Sequence, residues 1–361
     1  MINDYRVSLK KTRKQQLDAI TKNPYFNFLL FSFIILLLVF VNFATGAISS
    51  NRTIGMIIIY SIVGLGFSLL LGYAGLASLG TAGFMGLGAY IFGTLVQSVN
   101  LPFSLSLIIA LLVAVVIGII VGFISLRIEG MYLAIITLGL SEILVELFKS
   151  LDTITGGPNG LQIRFPKLFN FSIIGLFDGF SFNRETVLIF LIVVIFILMI
   201  ITLNIINSPI GRAMLAMKNS ESAAQSLGIS LLKFRLLAFV IAIIFATIGG
   251  VLYMTYFRNS YPQTWSLSLS LSILAAVILG GSKSIWGIIS GSAVIFGLDA
   301  FVLQKIKFFT DNPGSSMIFN GLLIIIIVMF YPGGLTRLFY DIKGWIKKLI
   351  RKRRVYLYGE D

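Results

Sequence analysis

The sequence contains no cysteine and no histidine among its 361 residues. It therefore has no disulfide framework, no thiolate nucleophile, and no imidazole to bind haem or a metal ion. Charged residues are scarce, at 12% of the chain, and only 14 residues are acidic. A phosphate-binding G-x-x-x-x-G-K-[ST] loop is also absent. These absences exclude most catalytic chemistry and an ATP site of the chain's own, so no cofactor is expected.

Hydrophobic residues, in contrast, make up 57% of the chain, and the mean hydropathy is +0.98. Such a composition lies far outside that of soluble globular domains. Several aliphatic runs, such as residues 107–126 and 187–203, approach or reach the ~20 residues that a helix needs to cross the bilayer. They do not alternate apolar and polar residues as the strands of a membrane barrel do. The sequence therefore predicts an all-α integral membrane protein.

Ten apolar windows are candidate membrane spans, at residues 28–47, 54–71, 78–97, 104–125, 131–148, 186–206, 236–257, 267–281, 285–303 and 317–331. With the N-terminus in the cytoplasm, the segments assigned to the cytoplasmic side contain 20 lysines and arginines, and the remainder contains 8. Because cytoplasmic segments are enriched in these residues, the pattern predicts that both termini are cytoplasmic, N-in and C-in.

Basic residues are concentrated in a leader, residues 1–24, and a tail, residues 336–361, which flank a polytopic region at residues 25–335. A net charge of +14 is also a feature of nucleic-acid-binding proteins. A basic segment beside a membrane span, however, is expected to contact anionic lipid headgroups. We therefore expect membrane lipid and no nucleic acid as the partner of both ends. No small-residue cleavage pattern follows the first apolar run, so a cleaved signal peptide is not expected.

Two longer hydrophilic connections interrupt the spans: residues 149–185, expected outside, and residues 207–235, expected in the cytoplasm. In the second connection, Ser208 and Ser220 are good helix N-caps. Gly228 is suited to end a helix in the left-handed conformation. Two short helices are therefore predicted, with the small residues Ala223 and Ala224 available to an approaching protein. A solvated helical loop without a partner remains the alternative.

Glycine and alanine are concentrated in residues 69–90 and again in residues 279–293. In a helix over 78–97, one stripe of small residues would comprise Ser78, Ala82, Gly86, Ala89 and Gly93. Such a stripe lets helices pack closely in lipid. Alternatively, the glycines at 72–75 break the helix between two spans and leave flexible backbone beside a transport path. Both interpretations remain open.

Two carboxylates, Glu142 and Glu146, lie one helical turn apart in the predicted span 131–148. An ionisable side chain deep in a membrane is costly and usually functional. Glu142 either lines or braces a transport path or makes a buried structural hydrogen bond. Glu146 lies closer to the outer interface, where a charge needs little explanation.

Several blocks of the sequence resemble the LivM-type permease subunits of branched-chain amino acid ABC importers. They occur in the family's order and cover residues 54–335: LGYAGLASLGTAGFMGLGAY, EGMYLAIITLGLSEI, TGGPNGL, GRAMLAMKNSESAAQSLGI, AAVILGGSKSIWGIISGSAV and YPGGL. The resemblance implies a type II importer fold similar to the vitamin B12 permease. It also implies a second, LivH-like permease subunit, two cytoplasmic ABC ATPases and an extracellular substrate-binding protein as partners.

Three sets of site residues are assigned, the first and third because the resemblance implies them and the second from the glycine-rich segments and the carboxylate within the membrane. Docking of the ATPase is assigned to the coupling segment, at Arg212, Lys218, Glu221, Ala223, Ala224 and Gly228. The translocation pathway is assigned to Gly72, Gly75, Ser78, Thr81, Gly86, Glu142, Gly280 and Gly281. The external mouth is assigned to Thr155, Gly156, Gly157 and Asn159. The chain departs from the family pattern G-Q-L-S-L-G-H-A, with Leu76 and Ala77 for the Gln-Leu pair and Thr81 where histidine is common.

The expected function is import of leucine, isoleucine and valine across the plasma membrane of a prokaryote, with ATP hydrolysed by partner subunits. The same permease role for another small solute, such as urea or a nucleoside, is the alternative. An ion-coupled secondary transporter would not need the coupling segment. A membrane-embedded enzyme is disfavoured because the chain lacks histidine, cysteine and a larger carboxylate cluster.

Overall fold

The structure is a computed structural model that describes residues 48–125, 131–166 and 184–301, together with short stretches and single residues between positions 303 and 337. The chain divides after residue 51 into two units, and the contacts described below lie within the second unit, Arg52–Asp361.

The three continuous ranges contain eleven α-helices: α1 Ile48–Ser68, α2 Thr81–Ser98, α3 Phe103–Ser125, α4 Met131–Ser150, α5 Asp152–Thr155, α6 Arg184–Asn207, α7 Pro209–Asn219, α8 Glu221–Ser226, α9 Leu231–Phe257, α10 Leu267–Gly280 and α11 Ile285–Phe301. A π-helical turn, Leu69–Tyr73, continues α1. Two short strands, β1 Leu161–Gln162 and β2 Asn259–Ser260, pair in antiparallel orientation. Short 3-10 turns lie at Gly157–Asn159 and Pro262–Trp265.

Four helical stretches in the described residues are long and apolar enough to cross a membrane: Arg52–Tyr73, Phe103–Ser125, Thr186–Asn207 and Leu231–Phe257. The helices α10 and α11 are apolar but shorter. At 1.5 Å per residue, α10 spans only about 21 Å, less than the hydrocarbon core of ~30 Å. The membrane-embedded part is therefore built from helices of unequal length.

The helix α2 lies at the centre of the fold, where it packs against α3, α4 and α9. Twelve of its 18 residues are buried. A Cβ atom at Gly88 would lie 2.7 Å from the carbonyl oxygen of Thr247 on α9, and one at Gly250 would overlap the carbonyl oxygen of Met85. Glycine at these two positions therefore allows the backbones of α2 and α9 to approach closely.

Connections between the long helices gather at two ends of the fold. At one end, the π-helical turn contacts α7 and the turn between α10 and α11. At the other end, β1 pairs with β2, and the Trp265 Nε1 donates a hydrogen bond to Ser260 Oγ at 2.8 Å.

Eight of the ten predicted spans correspond to helices, namely α1, α2, α3, α4, α6, α9, α10 and α11. The predicted span 28–47 lies outside the described residues, and 317–331 is described only in part. Several helix ends differ from the predicted ones by a few residues. The difference that affects a predicted site is that α2 begins at Thr81, so Ser78 lies in the preceding loop and not in the α2 stripe. The other predicted stripe residues, Ala82, Gly86, Ala89 and Gly93, are buried in α2.

A second stripe of small residues, which sequence inspection missed, lies on α3. Ser106, Ala110, Ala114, Gly118 and Gly122 recur every four residues and are buried. A Cβ atom at Gly122 would lie 2.7 Å from Leu236 Cδ1 and 2.9 Å from Phe239 Cδ1, both on α9. The aliphatic run of α3 therefore has one face against α9, whereas its large side chains face outward.

Candidate functional site

Residues 208–230 lie in the predicted coupling segment and are called the docking segment below, after the role that the sequence predicts for them. They contain the two short helices α7 and α8, as predicted. The Ser208 side chain accepts a hydrogen bond from the backbone N–H of Gly211 at 3.4 Å and so caps α7. Ser220 caps α8 by accepting from the N–H of Ala223 at 3.3 Å. Each serine satisfies an amide that has no partner within its helix, which fixes where both helices begin.

Gly228 ends α8 in the left-handed conformation, with φ of +79°. Its N–H donates to the carbonyl oxygen of Gln225 at 2.9 Å, and the N–H of Ile229 donates to that of Ala224 at 3.0 Å. These two bonds form a Schellman motif. A Cβ atom at Gly228 would meet no atom within 4 Å. The requirement for glycine is therefore conformational and not steric.

An ion pair closes the docking segment onto α9. The Arg235 guanidinium, from the first turns of α9, pairs with the Glu221 carboxylate at the start of α8. The Arg235 side chain is only 12% exposed, whereas that of Glu221 is 58% exposed. At the other end, Arg212 Nη1 donates to the carbonyl oxygen of Asn207 at 2.9 Å. The segment is thus tied to both helices that flank it, α6 and α9.

The docking segment buries one face and exposes the other. Ala213, Met214, Met217 and Ala224 are buried. Ala224 therefore packs within the protein, and it is Ala223 that lies on the surface. Leu227 is 79% exposed, although it is a large apolar side chain. The exposed surface of α8 thus combines a small residue with a prominent apolar one.

The helix α1 and its π-helical continuation end in the first glycine-rich turn, residues 72–80. The N–H of Ala74 donates to Leu69 O at 3.1 Å and that of Leu76 to Leu70 O at 3.0 Å, so the chain widens into a π-turn before it leaves the helix. Gly75 then has a φ of +75°. The predicted break at 72–75 is confirmed, and the left-handed φ accounts for glycine at position 75.

Lys218 links the docking segment to this break. Its ammonium donates to Leu71 O at 3.0 Å and to Gly72 O at 2.9 Å. A cation here is favourable because the last carbonyl groups of a helix carry partial negative charge. Burial lowers the pKa of the Lys218 ammonium, and the nearby Lys283 cation lowers it further.

The second glycine-rich turn, residues 280–284, contacts the first. A Cβ atom at Gly72 would overlap the carbonyl oxygen of Ser282, so the two backbones touch. The Tyr73 hydroxyl donates to Lys283 O at 3.1 Å. Gly281 has a φ of +102°, and Thr336 Oγ1 donates to Gly280 O at 3.1 Å. Lys218, predicted in the ATPase-docking set, therefore lies in one cluster with four glycines of the predicted pathway set: Gly72, Gly75, Gly280 and Gly281.

The other predicted pathway residues lie elsewhere. Ser78 and Thr81 line a small cavity with aromatic side chains of α1, α2 and α9. Gly86 is enclosed, since a Cβ atom there would lie 2.7 Å from Phe148 Cε2 and 2.8 Å from Trp265 Cγ. Glu142 is exposed on the outer face of α4. It has no hydrogen-bond or ion-pair partner within the described residues, so the buried structural hydrogen bond is not formed there.

Residues assigned to the external mouth form a tightly bonded turn. Thr155 Oγ1 donates to Phe148 O at 2.6 Å and accepts from the N–H of Gly157 at 3.3 Å. Gly156 and Gly157 have φ of +73° and +55°. Thr155 and Gly157 are buried, whereas Asn159 is exposed. Asn159 is therefore the most accessible of the four.

Three features of the site escaped sequence inspection. Lys218 contacts residues 146 and 147 positions earlier in the chain, and no local pattern reports such a contact. Arg235 was counted only as a cytoplasmic positive charge. The third feature is the exposed Leu227. The sequence does carry a signal for it, because a large apolar residue directly before the predicted helix end at Gly228, in a segment expected to face water, is unusual.

The described residues also contain no group of three histidine, cysteine, aspartate or glutamate residues suited to a metal ion.

Comparison with known proteins identifies the same family that the sequence blocks resemble. Residues 49–328 match the family described as the permease component of branched-chain amino acid transport systems. The chain is 34% identical to the high-affinity branched-chain amino acid transport system permease protein LivM of Salmonella typhimurium, over 78% of this chain and 68% of that protein. It is 33% identical to LivM of Escherichia coli, over 77% and 67%. A probable LivM of Methanocaldococcus jannaschii is 25% identical over 58% and 61%. No solved structure matches the chain.

Proposed function

Because the chain belongs to the family of permease components of branched-chain amino acid transport systems, we propose that it forms half of the translocation pathway of an ABC importer for leucine, isoleucine and valine. Its role is transport and not catalysis. The observation that carries the proposal is the family match over residues 49–328, which includes the docking segment. ATP is hydrolysed by separate subunits in the cytoplasm, and the location is the plasma membrane of a prokaryote.

We assign the chain ten membrane helices with both termini in the cytoplasm, as in type II importers. This topology would place one end of the fold in the cytoplasm and the other outside. The docking segment and both glycine-rich turns share one end, where Lys218 and Lys283 lie close together. The β1–β2 pair occupies the other end. The positive-inside rule favours a cytoplasmic location for the first end. The leader 1–24, the permease region 25–335 and the tail 336–361 complete this arrangement.

The docking segment is proposed to bind one ABC ATPase. Ala223 and Leu227 provide an exposed apolar surface on α8, and Arg212 and Glu221 are exposed charged residues beside it. The serine caps and the Gly228 motif hold both short helices in one shape before a partner arrives. Such preorganisation lowers the entropic cost of binding.

The α4 face that carries Glu142 is proposed to face the second permease subunit across the translocation pathway. The outward side chains of α3 show what a lipid-facing surface of this chain looks like: Leu105, Ile108, Leu112, Val116, Ile119 and Phe123 are all apolar and exposed. In α4, Glu142 is exposed near the helix centre, and a Cβ atom at Gly139 would meet nothing within 4 Å. A carboxylate at this depth is costly in lipid and acceptable beside water or protein.

Delivery of substrate from the opposite side is assigned to an extracellular binding protein. Thr155, Gly156 and Gly157 form a rigid turn at that end, and Asn159 is exposed on it. We assign the external mouth to this turn. Its hydrogen bonds indicate that the mouth is a preformed surface and not a flexible lid.

The experiment is uptake of labelled leucine by cells with and without the chain, with isoleucine, valine, urea and nucleosides as competitors. Loss of ATP-dependent leucine uptake, restored by the chain and competed only by isoleucine and valine, is expected. Unchanged leucine uptake would refute the substrate assignment.

A matched pair of variants tests the pathway assignment. Glu142→Gln should reduce uptake without loss of the ATPases on purification. Glu146→Gln should not, because Glu146 pairs with Lys149 at 3.0 Å near the helix end. Loss of the assembled complex in Glu142→Gln would instead assign Glu142 a structural role.

A further inference from the structure

The carbonyl groups of Leu71 and Gly72 lie at the point where α1 stops being a regular helix. The preceding carbonyls, those of Leu69 and Leu70, accept the N–H groups of Ala74 and Leu76. After that the chain turns away through Gly75, and Lys218 supplies the hydrogen bonds that Leu71 and Gly72 accept. The end of α1 is therefore completed by a side chain from the docking segment.

The rest of the Lys218 side chain also contacts this turn. A Cβ atom at Gly75 would lie 3.1 Å from Lys218 Cγ and 3.5 Å from Lys218 Cβ and Cδ. The aliphatic part of Lys218 thus lies against the Gly75 backbone while its ammonium reaches the two carbonyls. Because Lys218 is in the last turn of α7, a displacement of α7 acts directly on the first glycine-rich turn.

The contact continues beyond α1. Gly72, whose carbonyl accepts from Lys218, also lies against Ser282, because a Cβ atom at Gly72 would overlap the Ser282 carbonyl oxygen. The neighbouring Tyr73 hydroxyl is bonded to Lys283 O at 3.1 Å. A single lysine is therefore in contact with the point where the turns following α1 and α10 meet.

We propose that Lys218 is a positioning residue that transmits movement of the ATPase-bound docking segment to the two glycine-rich turns. The inference rests on the proposed function, since it assumes that an ATPase binds the segment. It adds the route by which that binding reaches the membrane helices. Loss of the ammonium should leave the docking surface formed, because the caps, the Gly228 motif and the Glu221–Arg235 pair do not involve Lys218.

The test compares Lys218→Met with Lys233→Met in the complete complex with the second permease and the ATPases, reconstituted in vesicles. Methionine keeps an unbranched apolar side chain and removes the charge. Lys233 is an exposed lysine near the start of α9, for which the described residues show no bonded partner, so its variant controls for the lost charge.

Lys218→Met should assemble and hydrolyse ATP, but the leucine moved per ATP should fall by about tenfold, a typical coupling between sites. Lys233→Met should match the wild type. A wild-type leucine-to-ATP ratio in Lys218→Met would overturn the proposal. Failure of that variant to assemble would also overturn it, since the role would then be structural.

A second measurement does not depend on the substrate. Hydrogen exchange of the wild-type complex should change on ATP addition both in residues 208–230 and in residues 69–80. In Lys218→Met the change should be confined to residues 208–230. An unaltered ATP response in residues 69–80 of the variant would refute the proposal. If the wild-type vesicles move no leucine, the substrate assignment fails, and this exchange experiment still tests Lys218.

Discussion

Substitution of Gly291 tests a close backbone contact between α10 and α11. Gly291 is on α11, and a Cβ atom there would overlap the carbonyl oxygen of Ala276 on α10 and lie 2.8 Å from the backbone nitrogen of Gly280. All of these neighbours are backbone atoms, so no side chain can rotate away. Gly291→Ala must therefore separate α10 from α11. The matched control is Gly139→Ala, at a helical position where a Cβ atom would meet nothing within 4 Å.

The two substitutions should have effects of opposite sign. Replacement of glycine by alanine in a helix stabilises it by roughly 0.5–1 kcal/mol, and Gly139→Ala should show this gain in the isolated chain. In Gly291→Ala the same gain is outweighed by overpacking, which costs about 1–3 kcal/mol or more in a close-packed interior. The propensity gain is common to both variants, so their free energies of unfolding should differ by the overpacking cost alone, roughly 1–3 kcal/mol.

Thermal unfolding of the purified chain in detergent provides the assay. Gly291→Ala should unfold on the order of 5 °C below Gly139→Ala. Equal melting temperatures would show that α10 and α11 are not in backbone contact at Gly291, and the account of the second glycine-rich region would then be wrong.

The remaining predictions concern the docking segment. Gly228→Ala should cost about 1 kcal/mol, because alanine disfavours the left-handed conformation, and exchange of the Gly228 and Ile229 amides should be about fivefold faster. Gly228→Asn should be milder, and equal exchange in all three proteins would contradict the Schellman assignment. Glu221→Lys should lower uptake by placing two cations together, and the exchanged pair Glu221→Arg with Arg235→Glu should recover it. Lys218→Met and Gly72→Ala should have non-additive effects on uptake, because both disturb the same set of contacts between Lys218, Gly72 and Ser282. Strictly additive effects would show that the two residues act independently.

Helix positions could be predicted from the sequence because long apolar runs depend on local composition. The predicted ends of the helices were less accurate, because charged residues and glycines near them lower the hydropathy or form turns. The helix α9 begins at Leu231, five residues before the predicted start, because hydropathy alone places Lys233 and Arg235 outside the span. The helix α2 begins at Thr81, three residues after the predicted start at 78, because the preceding residues form a turn.

Local caps in the docking segment were also predictable. Ser208, Ser220 and Gly228 have the predicted roles because each role depends on a few neighbouring backbone atoms. The contacts made by Lys218 and Arg235 were not predictable, since they depend on how distant helices pack. The sequence could place Glu142 within a predicted membrane span. It could not show that the Glu142 side chain is exposed on α4.

The glycines of this chain have two distinct physical roles, which separate the two interpretations of its glycine-rich segments. Gly88 and Gly250 lie within helices, where a Cβ atom would strike a neighbouring backbone, so their role is close packing. Gly75 and Gly281 have positive φ and lie in turns, so their role is to let the chain change direction. Gly72 connects both roles, because it packs against the Ser282 carbonyl and accepts a hydrogen bond from Lys218. On the proposed route through Lys218, a force applied through the docking segment acts on the turns, whereas the packed glycines hold the central helices together.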